Sequence, residues 1–203
     1  AHARGAEARR PGEAVPGTFE QGDAIAAAGA VSIFDNKLSD IESSNASSMY
    51  WIKRAEFDAF TYSPFAGNIA DTVKEAQKHD LGIFVLALMS NPGAQYFMKE
   101  AFVDGKRGFE WIVEESRKVN ADGLVIGATN PTDLIASARS RSDDNTIFLV
   151  PGIGKQHGDA QAALNILGQN VIVNVGRDVI YSDDPAAKAR HYQHQLRGWL
   201  TKP

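Results

Sequence analysis

Three groups of residues in this sequence have the types and spacing to do chemistry. The segment IFDNKLSDIESSN (33–45) places Asp35, Lys37 and Asp40 within six positions, directly after Val31, Ile33 and Phe34. On a strand, side chains at i and i+2 share a face, so Asp35 and Lys37 project together. A carboxylate and an ammonium so placed stabilise each other's charge. Lys37 is then held as an ammonium able to donate a proton, and the acids repel an anionic group bound beside them. Asp40 lies past the strand end and need not point the same way. The same residues also suit a solvated ion-pair cluster at a strand end, and spacing alone leaves both readings open.

The second group is PGIGKQHGD (151–159), and the third is Gly176-Arg177 in NVIVNVGR (170–177). A Gly-rich turn exposes backbone N–H groups. Gly176 presents no side chain, and Arg177 offers a rigid fork to an oxyanion. Either motif alone is an ordinary turn or a surface charge. Together, on consecutive strands, they describe a phosphate site. Ser90, in MSNPG (89–93), closes another apolar run in the same manner.

These residues need elements to position them, and the chain alternates in a way that supplies them. Short β-rich runs occur at 30–37, 58–64, 82–90, 123–129, 146–154 and 170–177. Each is nearly continuous in apolar residues, the mark of a strand covered on both faces. Helical patterns lie between them, at 47–57, 68–80, 92–102, 108–120, 131–140, 159–169 and 184–200. Strand, helix, strand with short links predicts parallel strands joined by right-handed crossovers. An open doubly wound sheet and a closed (β/α)8 barrel both fit that pattern. Either way, chemistry belongs at the carboxyl ends of the strands, where all three groups fall. Six units are recognisable, at about 30 residues each, where a closed barrel needs eight.

Composition narrows the function classes. The chain has 203 residues, 43% of them apolar, enough for one domain with a sizeable core. A net charge of −4 with scattered Lys and Arg gives no nucleic-acid surface. There is no cysteine, hence no disulfide, thiol nucleophile or thiolate metal site, which fits a cytoplasmic protein. The longest apolar run, IFVLALM, is far short of the roughly 20 residues that span a bilayer. No secretory h-region opens the chain. Residues 1–18, rich in Ala, Arg, Gly, Glu and Pro, read as a disordered tail. Residues 19–203 read as a single (β/α) barrel-type domain, incomplete at its N-terminal side. His191 and His194 lack a third ligand, so no metal site is expected.

The motifs together carry a family resemblance. DNKLSDI resembles the D-x-K-x-x-D-I motif of the orotidine 5′-monophosphate decarboxylase family, and MSNPGA its M-S-x-P-G-A segment. PGIGKQHGD resembles its phosphate loop, and NVGRDVIYSDDP its V-G-R stretch. ADGLVIGAT and TYSPFAG are similar to archaeal-like members. The resemblance runs from about residue 22 to the C-terminus. It implies a (β/α)8 barrel, a homodimer with shared sites, and cofactor-independent decarboxylation of orotidine monophosphate (OMP) to UMP in pyrimidine biosynthesis. Lys37 would protonate C6 of the pyrimidine. Asp35 would face the substrate carboxylate and hold Lys37. Asp40 would reach into the neighbouring site, with Ile41 beside it, and Ser44 would stand where the family has Thr. Ser90 and Pro151 would contact the pyrimidine, Gln156 the phosphate side, and Gly176 and Arg177 the phosphate.

The sequence also departs from the family. His157 replaces the first Gly after Gln156, and Asn174 stands where Ile or Val is usual. The family's first two strands carry an Asp for the ribose and a second Lys for the charged array, and neither strand is found in residues 1–30. This fits an incomplete gene product, a split protein that needs a partner, or a diverged paralogue. Two other functions compete with the decarboxylase. One is a Mg²⁺-dependent 3-keto-gulonate-phosphate decarboxylase or hexulose-phosphate synthase. The other is an inactive barrel remnant that binds nucleotide phosphate.

Overall fold

The structure, a computed structural model, describes residues 18–153 and 157–200. Each of the six expected runs supplies one strand: β1 (Ile33–Leu38), β2 (Ala59–Tyr62), β3 (Gly82–Leu88), β6 (Gly123–Ile126), β7 (Ile147–Pro151) and β8 (Val171–Asn174). They form one sheet in the order β1-β2-β3-β6-β7-β8, every pair parallel. Helices α2 (Glu42–Arg54), α3 (Ile69–Lys78), α4 (Gly108–Lys118), α5 (Thr132–Arg141), α6 (His157–Leu167) and α8 (Pro185–Leu200) follow successive strands, with the short α7 (Arg177–Ile180) ahead of α8. Helix α1 (Thr18–Ala27) leads into β1, and no strand precedes it among the described residues. The tail expected over 1–18 lies, up to residue 17, outside the described residues.

Strand alternation builds two cores. Side chains facing the helices, among them Phe60, Tyr62, Ile83, Leu124, Ile126 and Phe148, join the larger cluster. Side chains on the other face, Ala59, Phe84, Leu86, Val125 and Leu149, form a second buried cluster. The middle strands are therefore buried on both faces, as their continuous apolar runs require. β1 and β8 stand at the two ends of the order, do not pair with each other, and stay partly exposed. The sheet is six strands of a half-barrel.

The expected helix over 92–102 is only partly present. It is a single π turn, Gln95–Glu100, followed by an antiparallel hairpin of β4 (Phe102–Val103) and β5 (Lys106–Arg107). The connecting Asp104 and Gly105 have φ of 51° and 76°, so the two-residue loop has the positive φ pair that Asp-Gly favours. That local turn chemistry wins over the helical spacing around it.

Gly123 is the tightest point of the inner core. It pairs with Phe84 on one side and Ile147 on the other. A Cβ there would lie 2.5 Å from both the Phe84 ring and the Ile147 carbonyl oxygen. Gly123→Ala should therefore destabilise the fold by about 1–3 kcal/mol, the range for overpacking. Urea denaturation measures it, and an unchanged midpoint would show that the strands yield at this point.

Candidate active site

β1 is not a regular strand where its charges sit. Phe34 pairs with Phe60 and Leu38 with Tyr62, so four steps along β1 match two along β2. The surplus forms a bulge that contains Lys37, whose φ is +50°. A left-handed non-Gly residue costs about 1 kcal/mol, and bulges re-aim side chains beside functional sites. Thr61 of β2 compensates. Its Oγ1 accepts the Lys37 backbone N–H at 3.0 Å and donates to Asp35 Oδ1 at 2.8 Å. Lys37 Nζ then donates to both Asp35 oxygens, at 2.8 and 2.9 Å. Asp35 and Lys37 do meet, but the bulge and Thr61 bring them together rather than plain i, i+2 alternation.

Partial burial pushes the Asp35 carboxyl up. The bonds from Lys37 and Thr61 and the Lys37 charge together outweigh it, so the pKa is lowered. Asp35 is thus a carboxylate held ionised next to an ammonium. Both side chains remain about half exposed, at 53% and 48%, so a ligand can reach them.

Asp40 does not join this pair; among the described residues it makes no ion pair with Lys37. Its backbone is clamped instead. The buried Asn45 donates from Nδ2 to the Asp40 carbonyl at 2.5 Å and accepts the Asp40 N–H at 3.2 Å. Asn68 Nδ2 donates to the same carbonyl at 3.1 Å. The Asp40 carboxylate accepts the Ile41 N–H at 2.8 Å and is otherwise turned to solvent. Ile41, 58% exposed, caps the start of α2, and Ser44 sits exposed in its first turn.

The remaining candidates line the same rim. Ser90 is exposed just past β3, packed against Gly127 beyond β6. Asn130 Nδ2 bridges these two ends, donating to the carbonyls of Leu88 and Gly127. Pro151 ends β7 and pairs with Asn174 of β8. Gly152 follows with φ +101°, a conformation that only glycine adopts without strain. Beyond it, Gly152, Ile153, Asn174, Gly176, Arg177 and Lys188 line a cleft of about 920 Å³. A Cβ on Gly176 would touch nothing nearer than Asn174 Oδ1 at 3.8 Å, so its backbone faces open space. Arg177 is exposed and has no ion pair among the described residues. Gln156 lies outside the described residues, and His157 opens α6. Asp35 and Lys37 are thus one assembly and Gly152, Gly176 and Arg177 another, at opposite ends of the strand order.

Thr61 and Asn45 are the contributors that motif reading passes over. Thr61 was findable from register. Once Ile33 is paired with Ala59, the residue two further along β2 lies beside Asp35. Asn45 had a weaker signal, an amide at a helical position that faces the core. Among the described residues no group of three His, Asp or Glu is placed to hold a metal ion. None of the described helices is long and apolar enough to cross a membrane.

Comparison with known proteins gives consistent likenesses. The profile described as "Orotidine 5'-phosphate decarboxylase / HUMPS family" matches residues 19–192. Orotidine 5'-phosphate decarboxylase of Haloarcula marismortui is 38% identical over 139 residues, 66% of this chain and 49% of that protein. The enzyme of the same name from Thermomicrobium roseum is 37% identical over 164 residues, 76% of this chain and 57% of that protein. The chain thus spans about half the length of these curated relatives. The structure of Leishmania donovani OMP decarboxylase superposes with a TM-score of 0.80 at 26% identity, covering 92% of this chain and 74% of that one. The Methanocaldococcus jannaschii enzyme complexed with the inhibitor BMP gives 0.75 at 26% identity, covering 92% and 81%.

The Thr61 bridge can be tested without reference to those likenesses. Thr61→Val keeps the shape and removes the hydroxyl. Asp35 should then titrate at higher pH, closer to the usual carboxylate value, as read by carboxyl-carbon NMR. A depressed native pKa adds stability that is complete above the unfolded value of about 3.9 and is lost as pH falls through the native value. The variant should therefore be less stable at neutral pH by about 1 kcal/mol, with the difference narrowing below about pH 4. An unmoved Asp35 titration would remove Thr61 from this role.

Proposed function

Because the chain belongs to the orotidine 5'-phosphate decarboxylase / HUMPS family, we propose that it decarboxylates OMP to UMP without a cofactor, as a cytoplasmic homodimer serving pyrimidine biosynthesis. The observation that carries this reading is the Lys37 ammonium braced by an ionised Asp35 at an accessible strand end. The carboxylate of OMP leaves as carbon dioxide, and the bonding pair of that C–C bond stays on C6. Lys37 Nζ delivers a proton to C6 and recovers it from solvent. Asp35, ionised and close by, disfavours the substrate carboxylate and keeps Lys37 aimed. Ser90 and Pro151 meet the pyrimidine. Gln156, Gly176 and Arg177 take the phosphate, whose binding energy supports the step at the remote carbon. Residues 19–203 serve as one barrel-type domain, with 1–18 outside it.

Two features support a dimer that shares its sites. The Asp40 carboxylate is exposed and makes no ion pair with Lys37 among the described residues, on a loop whose backbone is clamped, which leaves it available to a neighbouring copy. Three residues before Asn68, which bonds that loop, Phe65 stacks edge-on against Phe97 at 6.4 Å, and both are more than two-thirds exposed, as are Tyr96 and Phe102. An apolar patch of this kind on a folded domain marks an interface.

The first experiment follows the ultraviolet absorbance of OMP with the purified chain, with and without EDTA. Turnover that ignores the chelator and falls at least about a hundredfold in Lys37→Ala is expected, the minimum for loss of a positioned acid. Turnover that needs Mg²⁺ would favour the metal-dependent relatives, and turnover retained in Lys37→Ala would remove that residue from the mechanism. The interface has its own test. Phe97→Asp should halve the mass measured by light scattering and lower turnover with it. An unchanged mass would place the interface elsewhere.

A further inference from the structure

The cleft at β8 contains a feature that its phosphate role does not explain. Arg177 and Asp178 open α7, a helix of four residues, too short to hold its own orientation in water. Asp178 is tied to the next helix instead. Tyr192 Oη of α8 donates to Asp178 Oδ2 at 2.6 Å, and Lys188 Nζ of α8 lies 3.1 Å from the same oxygen. The Lys188 ammonium also lies 5.8 Å from the centroid of the Tyr192 ring. Tyr192 is 5% exposed, whereas neighbouring Arg177 is open to solvent. Asp178 is therefore a fixed joint, and the adjacent Arg177 is an exposed guanidinium with no ion pair among the described residues. Burial and the Asp178 carboxylate push the Tyr192 hydroxyl up to about 12, so it remains a donor across the physiological range.

Charge balance gives the joint a second purpose. A bare carboxylate one residue from a phosphate-binding Arg would repel the ligand and draw off the guanidinium. Lys188, which lines the same cleft, neutralises Asp178, and Tyr192 takes up a lone pair on it. Arg177 is left without an ion pair among the described residues.

We propose that Asp178, gripped by Tyr192 and Lys188, is the positioning residue that aims Arg177 at the phosphate of a nucleoside monophosphate. This rests on the reading of Arg177 as the phosphate ligand, and the experiment keeps the two apart. UMP and uridine are titrated into the full chain by ligand-observed NMR, which reads affinities into the millimolar range. The wild type should prefer UMP, and Arg177→Ala should lose that preference. Absence of a preference in the wild type overturns the phosphate reading and the inference with it. In Asp178→Ala, UMP affinity should fall about tenfold, ~1.4 kcal/mol, with uridine affinity unchanged and part of the loss recovered in Asp178→Asn. Tyr192→Phe, which deletes one hydroxyl, should give a smaller loss in the same direction and serves if Asp178→Ala fails to fold. Equal weakening of UMP and uridine would make Asp178 a purely structural contact. A gain in UMP affinity would make it an electrostatic brake. Either result, with Arg177→Ala still defective, overturns the positioning role alone.

Discussion

Among the described residues, the charged groups of this molecule sit on strands that have a neighbour on one side only. A parallel sheet delivers all its strand ends to one rim, and here the two outermost strands, β1 and β8, carry the acid–lysine pair and the arginine corner. Strands in the middle are fixed by two ladders and by packing on both faces. An outer strand has one ladder, so its charged side chains need other restraints. At β1 the restraint is Thr61, which takes a backbone N–H where the ladder is broken and braces Asp35 with the same oxygen. At β8 it is Asp178, tied to α8. Both are side-chain bonds from the adjacent element, restraining a strand that has one ladder among the described residues.

The Lys37 bulge follows from the same constraint. A regular strand would set Lys37 in the ladder, with its backbone bonded to β2. The left-handed turn lifts it out, and the strain is tolerable because Thr61 satisfies the freed N–H. The acid–lysine pair is therefore preorganised by backbone geometry as much as by charge.

Much of this was legible in the sequence. Continuous apolar runs marked all six strands, and their alternation with helices pointed to parallel pairing, while the order of the strands came from the structure. The spacing of Asp35 and Lys37 pointed to a pair, and Gly176-Arg177 to an exposed cation beside bare backbone. What was not legible depends on register and on contacts distant in the chain. The bulge has no local signal, because nothing in DNKL demands a positive φ at Lys37. Thr61 gains its role only when β1 and β2 are aligned. Tyr192 reaches Asp178 across 14 positions and a helix turn. The Asp104-Gly105 hairpin is different, since its turn dipeptide stands in plain view between the helical patterns at 92–102 and 108–120.

The inner cluster also bears on how the chain folds. Phe84 lies over Gly123, and Leu86, Val125 and Leu149 continue the same layer. The buried members of this layer lie on β3, β6 and β7 with Ala59 of β2, and Ile33 of β1 packs against its margin. Every pairing in the sheet joins strands separated by one crossover, so loop closure does not set the centre apart; burial on both faces does. The doubly buried centre is expected to form first, with the two partly exposed outer strands joining it last. Amide exchange should then run fastest at the two strands that carry the charged groups.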